Sequence, residues 1–405
     1  MHPTTGIVRR YSLVHLLSGL LLMLSASYLD NVRGVILPVI TRQLKINYAD
    51  GSWFLVAGNW AAMVFTLCLL PLVKKVGDRR LALMASTLAV VVVSLAGQIS
   101  SFHSLLVFAF VLGGSIAAMG TISNLLTMNG ASPDILSRTL SGMHVMYGVG
   151  SLLAPLVTAP MLARGMPWPL VVLAPLPLLG GVIFLNFKVT RPAGESRGDQ
   201  KSHESGPGRS QAGLQLLLLS GFGAYVCGEV LVSMWMTTYL VEFRGMTIEA
   251  AAPYLIGFFA VMAVSRFGCF LLASERLVKP LIYFSLTVPV MFFLLGHLGF
   301  HWAFSAVGFV GPFFPLFMAR ITGTFPRAWR RLTILSIVTM QICLGAAHFG
   351  LGHLVDVVGA QRAFLTPIFF LLLTLGVVLT YFRREKAVLA GLSSLAGSPA
   401  GNSLQ

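Results

Sequence analysis

Apolar residues along this chain come in long blocks, each about the twenty residues a helix needs to cross bilayer hydrocarbon. Polar residues collect between the blocks. The blocks fall near 13–40, 52–73, 81–99, 104–128, 138–162 and 168–187, then near 213–241, 250–273, 280–297, 302–325, 332–355 and 363–382. Runs this long exclude the short strands of a barrel, the other fold that satisfies its backbone inside lipid. The pattern predicts an all-α integral membrane protein with twelve transmembrane helices.

The polar stretch 188–212, rich in charge with Gly and Pro, divides the spans six and six. It reads as a flexible linker between two six-helix bundles, residues 1–187 and 213–386, and the small polar residues of 387–405 read as a disordered tail. An echo joins the halves. NGASPD (129–134) follows span 4 and TGTFPR (322–327) follows span 10, so Gly130 and Pro133 match Gly323 and Pro326 at one offset. Two repeated bundles related by a pseudo-twofold axis, with a site between them, are the architecture of many secondary transporters.

Composition agrees: 56% of residues are hydrophobic and 10% are charged, far from a soluble domain. A net charge of +15 raises nucleic acid as a partner, but the position of the basic residues removes it. With both termini cytoplasmic, 21 of the 28 Lys and Arg fall on the inner side. Arg33, Arg42, Lys45, Arg164, Arg244 and Arg362 are counted outside, and Arg266 lies within span 8. The expected place is a plasma membrane, a bacterial inner membrane, crossed many times. Arg9 and Arg10 before the first block resemble a secretory leader, but that block fits the alternation of spans and is read as retained. Cys68, Cys227, Cys269 and Cys343 stand singly in apolar segments, which argues against disulfides and thiolate metal sites.

Ionisable groups inside hydrocarbon are costly and tend to face a cavity or a partner. Asp30 in span 1, placed in its outer half, and Glu229, near the middle of span 7, occupy equivalent helices of the repeat. Either can carry a coupled proton. Equally, Arg33 lies three residues after Asp30 on the same face and can hold it as a fixed ion pair, and Glu229 can serve only to bond neighbouring helices. Arg266 is a candidate for pairing Glu229, for binding an anion, or for gating at a helix end. Asn59, Asn124 and Gln341 supply amides, and Tyr147, Trp235 and Tyr239 supply aromatic faces, for a hydroxyl-rich solute. Interhelical bonding is the competing role. His144 is more simply a packing residue than a proton relay. His297 and His301, and the set His348, His353 and Asp356, lack the ligands of a metal centre. No metal and no cofactor is implied, and no catalytic motif of a hydrolase, NTPase or zinc protease occurs.

Several stretches together resemble the major facilitator superfamily. PLVKKVGDRRLAL (71–83) is similar to that family's loop between spans 2 and 3, with Gly77, Arg79 and Arg80 fitting and Leu70 and Lys74 departing from it. The resemblance points to Gly77, Arg79 and Arg80 as gating residues, and Arg33 and Arg266 are counted with them as gating candidates. Within the family, LDNVRGVILPVI (29–40), LSRTLSGMHVMYGVGSLLAPLV (136–157), AYVCGEVLVSMWMTTYL (224–240) and SRFG (265–268) resemble the fucose–galactose–glucose proton symporter branch. The span 4 glutamate of the fucose symporter is missing from GTISN (120–124). Span 5 lacks the Gly-Pro pair of drug antiporters. The resemblance implies a monomeric secondary transporter working by alternating access, a proton symporter of a small, sugar-like solute. Export or uniport of a siderophore or organic acid is the alternative, and an intramembrane enzyme a distant one.

Overall fold

Local chemistry sets where the helices begin and end. Asn47 accepts the Asp50 amide at 2.7 Å at the start of span 2. Ser101 and Ser104 form a reciprocal capping box at the start of span 4. Gly77, at φ 84°, turns the chain between spans 2 and 3, a conformation open to glycine without strain.

The structure, a computed structural model, describes residues 3–131, 136–188, 209–272, 275–325 and 328–396. Among them there is no strand, and twelve helices are long and apolar enough to cross a membrane. Spans 1 to 6 are Leu13–Leu44, Tyr48–Val73, Asp78–Gln98, Phe102–Gly130, Gly142–Ala163 and Trp168–Phe187. Spans 7 to 12 are Ala212–Glu242, Ile248–Cys269, Arg276–His297, Ala303–Ile321, Arg331–Val358 and Ala360–Lys386.

Two expectations change. The helix of span 12 continues to Ala396, so the stretch read as a loose tail from 387 is helical over its first part, and 397–405 lies outside the described residues. Of the linker, 189–208 lies outside them too, while 209–212 already belongs to the helix of span 7. Pro133 and Pro326 of the sequence echo are likewise outside, although Gly130 ends its helix as expected.

Spans 6 and 10 are broken. Span 6 pauses between Val172 and Leu176, next to Pro175. Span 10 passes from Ala303–Ala306 through a 3₁₀ stretch, Val307–Val310, to Phe313–Thr324, with Pro312 at the break. A broken helix frees carbonyls that lipid cannot satisfy. Span 8 takes them: Ser265 donates to the Gly308 oxygen at 3.3 Å and Arg266 Nε to the Gly311 oxygen at 3.0 Å.

The repeat is visible in how helices cross. Spans 2 and 4 touch backbone to backbone at Gly58 and Gly113, and spans 8 and 10 do so at Phe258 and Gly308. Small residues allow such approach. Between the halves, spans 1 and 7 meet where Gly34 abuts the Met234 backbone. Span 2 packs on span 11, and span 5 on span 8. Adding six to each number, and wrapping past twelve, turns the 2–11 contact into 8–5 and leaves 1–7 unchanged, as a twofold axis requires.

Spans 1 and 7 start at one end of the bundle, here the terminal end, and finish at the distal end. The distal ends of the halves are joined. Arg42 pairs with Glu242 at 2.6 Å, and Asp356, ending span 11, accepts the amides of Tyr48 and Ala49 at 3.0 and 2.7 Å. A carboxylate on exposed amides at a helix start is favoured by both hydrogen bonding and the helix dipole.

Candidate functional site

A cavity of about 110 Å³ lies where the halves meet. Asp30, Arg33 and Asn59 line it from the first half and Met234, Gln341 and His348 from the second. Glycine builds part of its wall. A Cβ on Gly58 would stand 2.5 Å from Arg33 Nη1, so the absent side chain is what makes room for the guanidinium.

Arg33 is buried, and two of its nitrogens are held by its own helix. Nη2 pairs with Asp30 Oδ1, and Nε donates to the Asp30 carbonyl at 3.1 Å. The other Asp30 oxygen accepts the Tyr147 hydroxyl of span 5 at 2.9 Å. The ion pair is therefore present, close to the midpoint of span 1. Arg33, counted outside on sequence, sits instead mid-helix and faces inward. Its third nitrogen, Nη1, is buried without a hydrogen-bond partner, as are Asn59 Nδ2 and Gln341 Oε1.

In the second half Arg266 Nη2 pairs with Glu229 at 3.3 Å, while its Nε holds the broken span 10. Of the roles open to Arg266, pairing is the one formed. Glu229 does not line the cavity; its neighbour Val230 does. Tyr147 is bonded to Asp30 and does not itself line the cavity.

The remaining candidates separate. Asn59 and Gln341 reach the cavity. Asn124 does not line it, and its amide donates to the Gly120 carbonyl of its own helix at 2.8 Å. Trp235 is buried behind the wall and donates from Nε1 to His348 Nδ1 at 3.0 Å. Tyr239 is displaced furthest. It stacks on Phe364 with ring centroids 4.5 Å apart and accepts from Arg244 Nε at 3.2 Å, inside an aromatic cluster toward the distal end. His348, passed over because it belonged to no metal set, lines the cavity. Its signal was its place in span 11, the helix that packs on span 2 across the halves.

At the terminal end, Gly77 turns the chain and Arg79 bonds across to span 6. Arg79 donates from Nε to the Asn186 carbonyl and from Nη2 to the Phe187 carbonyl at 3.0 Å, tying span 3 to the end of span 6. Arg80 is exposed. Asp78, between them in sequence, pairs with His15 of span 1 at 3.0 Å and accepts from Asn129 of span 4 at 3.1 Å. The second half has a counterpart the sequence reading missed: buried Glu385 pairs with Arg320 at 2.5 Å and accepts from Thr324 at 2.9 Å. No group of His, Cys, Asp and Glu among the described residues is arranged to hold a metal.

The family model for the Major Facilitator Superfamily matches residues 17–311, well over half the chain. The chain belongs to the Major Facilitator Superfamily. A search of curated protein sequences finds no match. Solved structures share the fold across nearly the whole chain. A variant of the nucleoside transporter NupG superposes with a TM-score of 0.71 at 13% identity, covering 92% of this chain and 99% of its own. A bacterial homologue of the human lysosomal transporter Spinster, inward-facing and unoccupied, gives 0.71 at 15% identity, covering 94% and 98%. This superfamily member is thus a multi-pass membrane transporter of small solutes and not an enzyme.

Proposed function

We propose that the protein is a proton-coupled symporter of a small polar solute, working as a monomer by alternating access. The observation that carries this reading is a cavity lined by polar residues of both halves: Asp30, Arg33 and Asn59 from one, Gln341 and His348 from the other. Because the lining comes from both halves, binding is sensitive to how the halves sit, as alternating access requires.

Asp30 is the proposed proton site, with Glu229 supporting it. Asp30 is partly open, borders the cavity, and holds Arg33 and Tyr147, so protonating it loosens both partners beside the solute. With the termini cytoplasmic, in a bacterial inner membrane, the joined distal ends face outward. The closure there, with the likeness to an inward-facing relative, supports an inward-facing state. The fucose–galactose–glucose branch suggests sugar-like cargo and NupG suggests nucleosides. Purified protein in liposomes is expected to accumulate solute when an inward proton gradient is imposed and to lose accumulation on adding an uncoupler. Accumulation indifferent to the gradient would refute the coupling.

A further inference from the structure

We infer that His144 of span 5 carries the coupled proton between Asp30 and the solution at the terminal end; this rests on the proton-coupled reading above. Read from sequence as a packing residue, His144 is exposed in the structure. That exposure is not to lipid. The lipid face of span 5 is marked by exposed Gly142, Val145, Val149 and Leu156, spaced three, four and seven residues apart. His144 stands off that face, in the stripe of Tyr147, Gly148 and Ser151. Contacts fix where the stripe points. Tyr147 donates to Asp30 at 2.9 Å, and Ser151 accepts from Asn31 Nδ2 at 2.9 Å. A Cβ on Gly148 would stand 3.9 Å from that of Ala263 in span 8. The stripe therefore follows the seam between span 1 of one half and span 8 of the other. Ser151, deeper along it, is buried, while His144, one turn nearer the terminal end than Tyr147, is exposed. The seam thus opens toward the terminal end, and water reaches the imidazole there.

Span 8 runs opposite to span 5. From the Gly148–Ala263 contact, one turn toward the terminal end reaches His144 on span 5 and Arg266 on span 8. The charged groups on the helices around His144 are therefore Asp30 and Arg33 of span 1, Arg266 of span 8 and, paired with it, Glu229 of span 7. Span 4 brings no charge to this level, since His103 stands at its distal start, and the part of span 6 packed on span 5, Trp168–Val172, carries none. Imidazole ordinarily titrates near neutral pH, so it can take up a proton and release it within one transport cycle. With the terminal end open, protonated Asp30 gives its proton to the Tyr147 hydroxyl, which passes its own to an intervening water and so to neutral His144. Side chains three residues apart on a helix are about 5–6 Å apart at Cβ, a gap that one water spans. The imidazolium then gives a proton to water at the terminal end. Asp30 is left as a carboxylate paired with Arg33, His144 is neutral again, and one proton has crossed.

Two measurements test this. In the first, the full chain in nanodiscs is treated with diethyl pyrocarbonate and each histidine is read by mass spectrometry. His144 is expected to be modified alongside exposed His353, while His348, 1% exposed, is protected. Protection of His144 like that of His348 would overturn the assignment whatever the cargo. In the second, liposomes under an inward proton gradient receive radiolabelled glucose, uridine and lactate as probes. For a probe the parent accumulates, His144→Gln keeps hydrogen bonding without titrating. It is expected to lower the ratio of gradient-driven uptake to counterflow exchange about tenfold or more, since a positioned acid–base group is lost. Imidazole added to His144→Ala liposomes is expected to restore part of the uptake, which it would not do for a packing residue. A ratio equal to the parent's in His144→Gln would overturn the relay and leave proton coupling standing. Absence of gradient-driven accumulation of every probe by the parent would remove the coupling reading and the relay with it.

Discussion

The ion pairs of Asp30 in span 1 and Glu229 in span 7 occupy similar heights on equivalent helices, yet they are built differently. Asp30–Arg33 lies within one helix, three residues apart, with the arginine almost wholly buried. Glu229–Arg266 joins spans 7 and 8 at 3.3 Å, and the same arginine holds the broken span 10. A pair within one helix moves as a unit with that helix, and only the cavity and Tyr147 can act on it. A pair between helices reports the packing of its bundle. Neither crosses between the halves, so alternating access need not break either one. The contacts that must break lie at the distal end, where Arg42 meets Glu242 and Asp356 caps span 2.

Breaking the first pair is expected to have the largest effect. Arg33→Ala leaves Asp30 without its counter-charge and should cost about 3–5 kcal/mol, the usual penalty for removing one member of a buried pair. Thermal unfolding in detergent measures it, and a change under 1 kcal/mol would mean the pair contributes little. Asp30→Asn tests function rather than stability. Asparagine still accepts from Tyr147, so solute binding and counterflow exchange should survive while gradient-driven accumulation disappears. Accumulation by this variant would make Asp30 a structural partner only.

For the second pair, Glu229→Gln and Arg266→Gln should each destabilise, and the double variant should recover part of the loss. A coupling energy of about 0.5–3 kcal/mol in the double-mutant cycle is expected for groups in contact. Strict additivity would show that Arg266 serves span 10 alone. The smallest changes in stability belong to the distal contacts. Arg42 is 59% exposed, so Arg42→Ala should cost about 0.2–1 kcal/mol, and Asp356→Asn about 1 kcal/mol through a weakened cap. Both nonetheless favour opening of the distal end. A cysteine-reactive probe at a distal position of span 2 should label these variants faster than the parent, and equal labelling rates would remove the gate.

The twelve spans were legible because a bilayer imposes a length and an apolar composition that twenty residues display by themselves. Their division six and six and the turn at Gly77 were legible from local sequence too. So was Asp30 with Arg33, since three residues along a helix puts them on one face. Local patterns could not give the depth of Arg33, which counted as a loop-side charge until packing placed it mid-helix. Nor could they separate Asn59 from Asn124, or show Tyr239 leaving the cavity for a stack with Phe364. Helix rotation and the crossing of Gly58 with Gly113 decide which polar face meets the other half, and both depend on contacts from spans far apart in sequence. The sequence by itself determined a membrane-spanning helical transporter with an acid and an arginine in span 1. Only the tertiary structure decided that the acid was already satisfied, and that Arg33, Asn59, Gln341 and His348, from both halves, line one cavity.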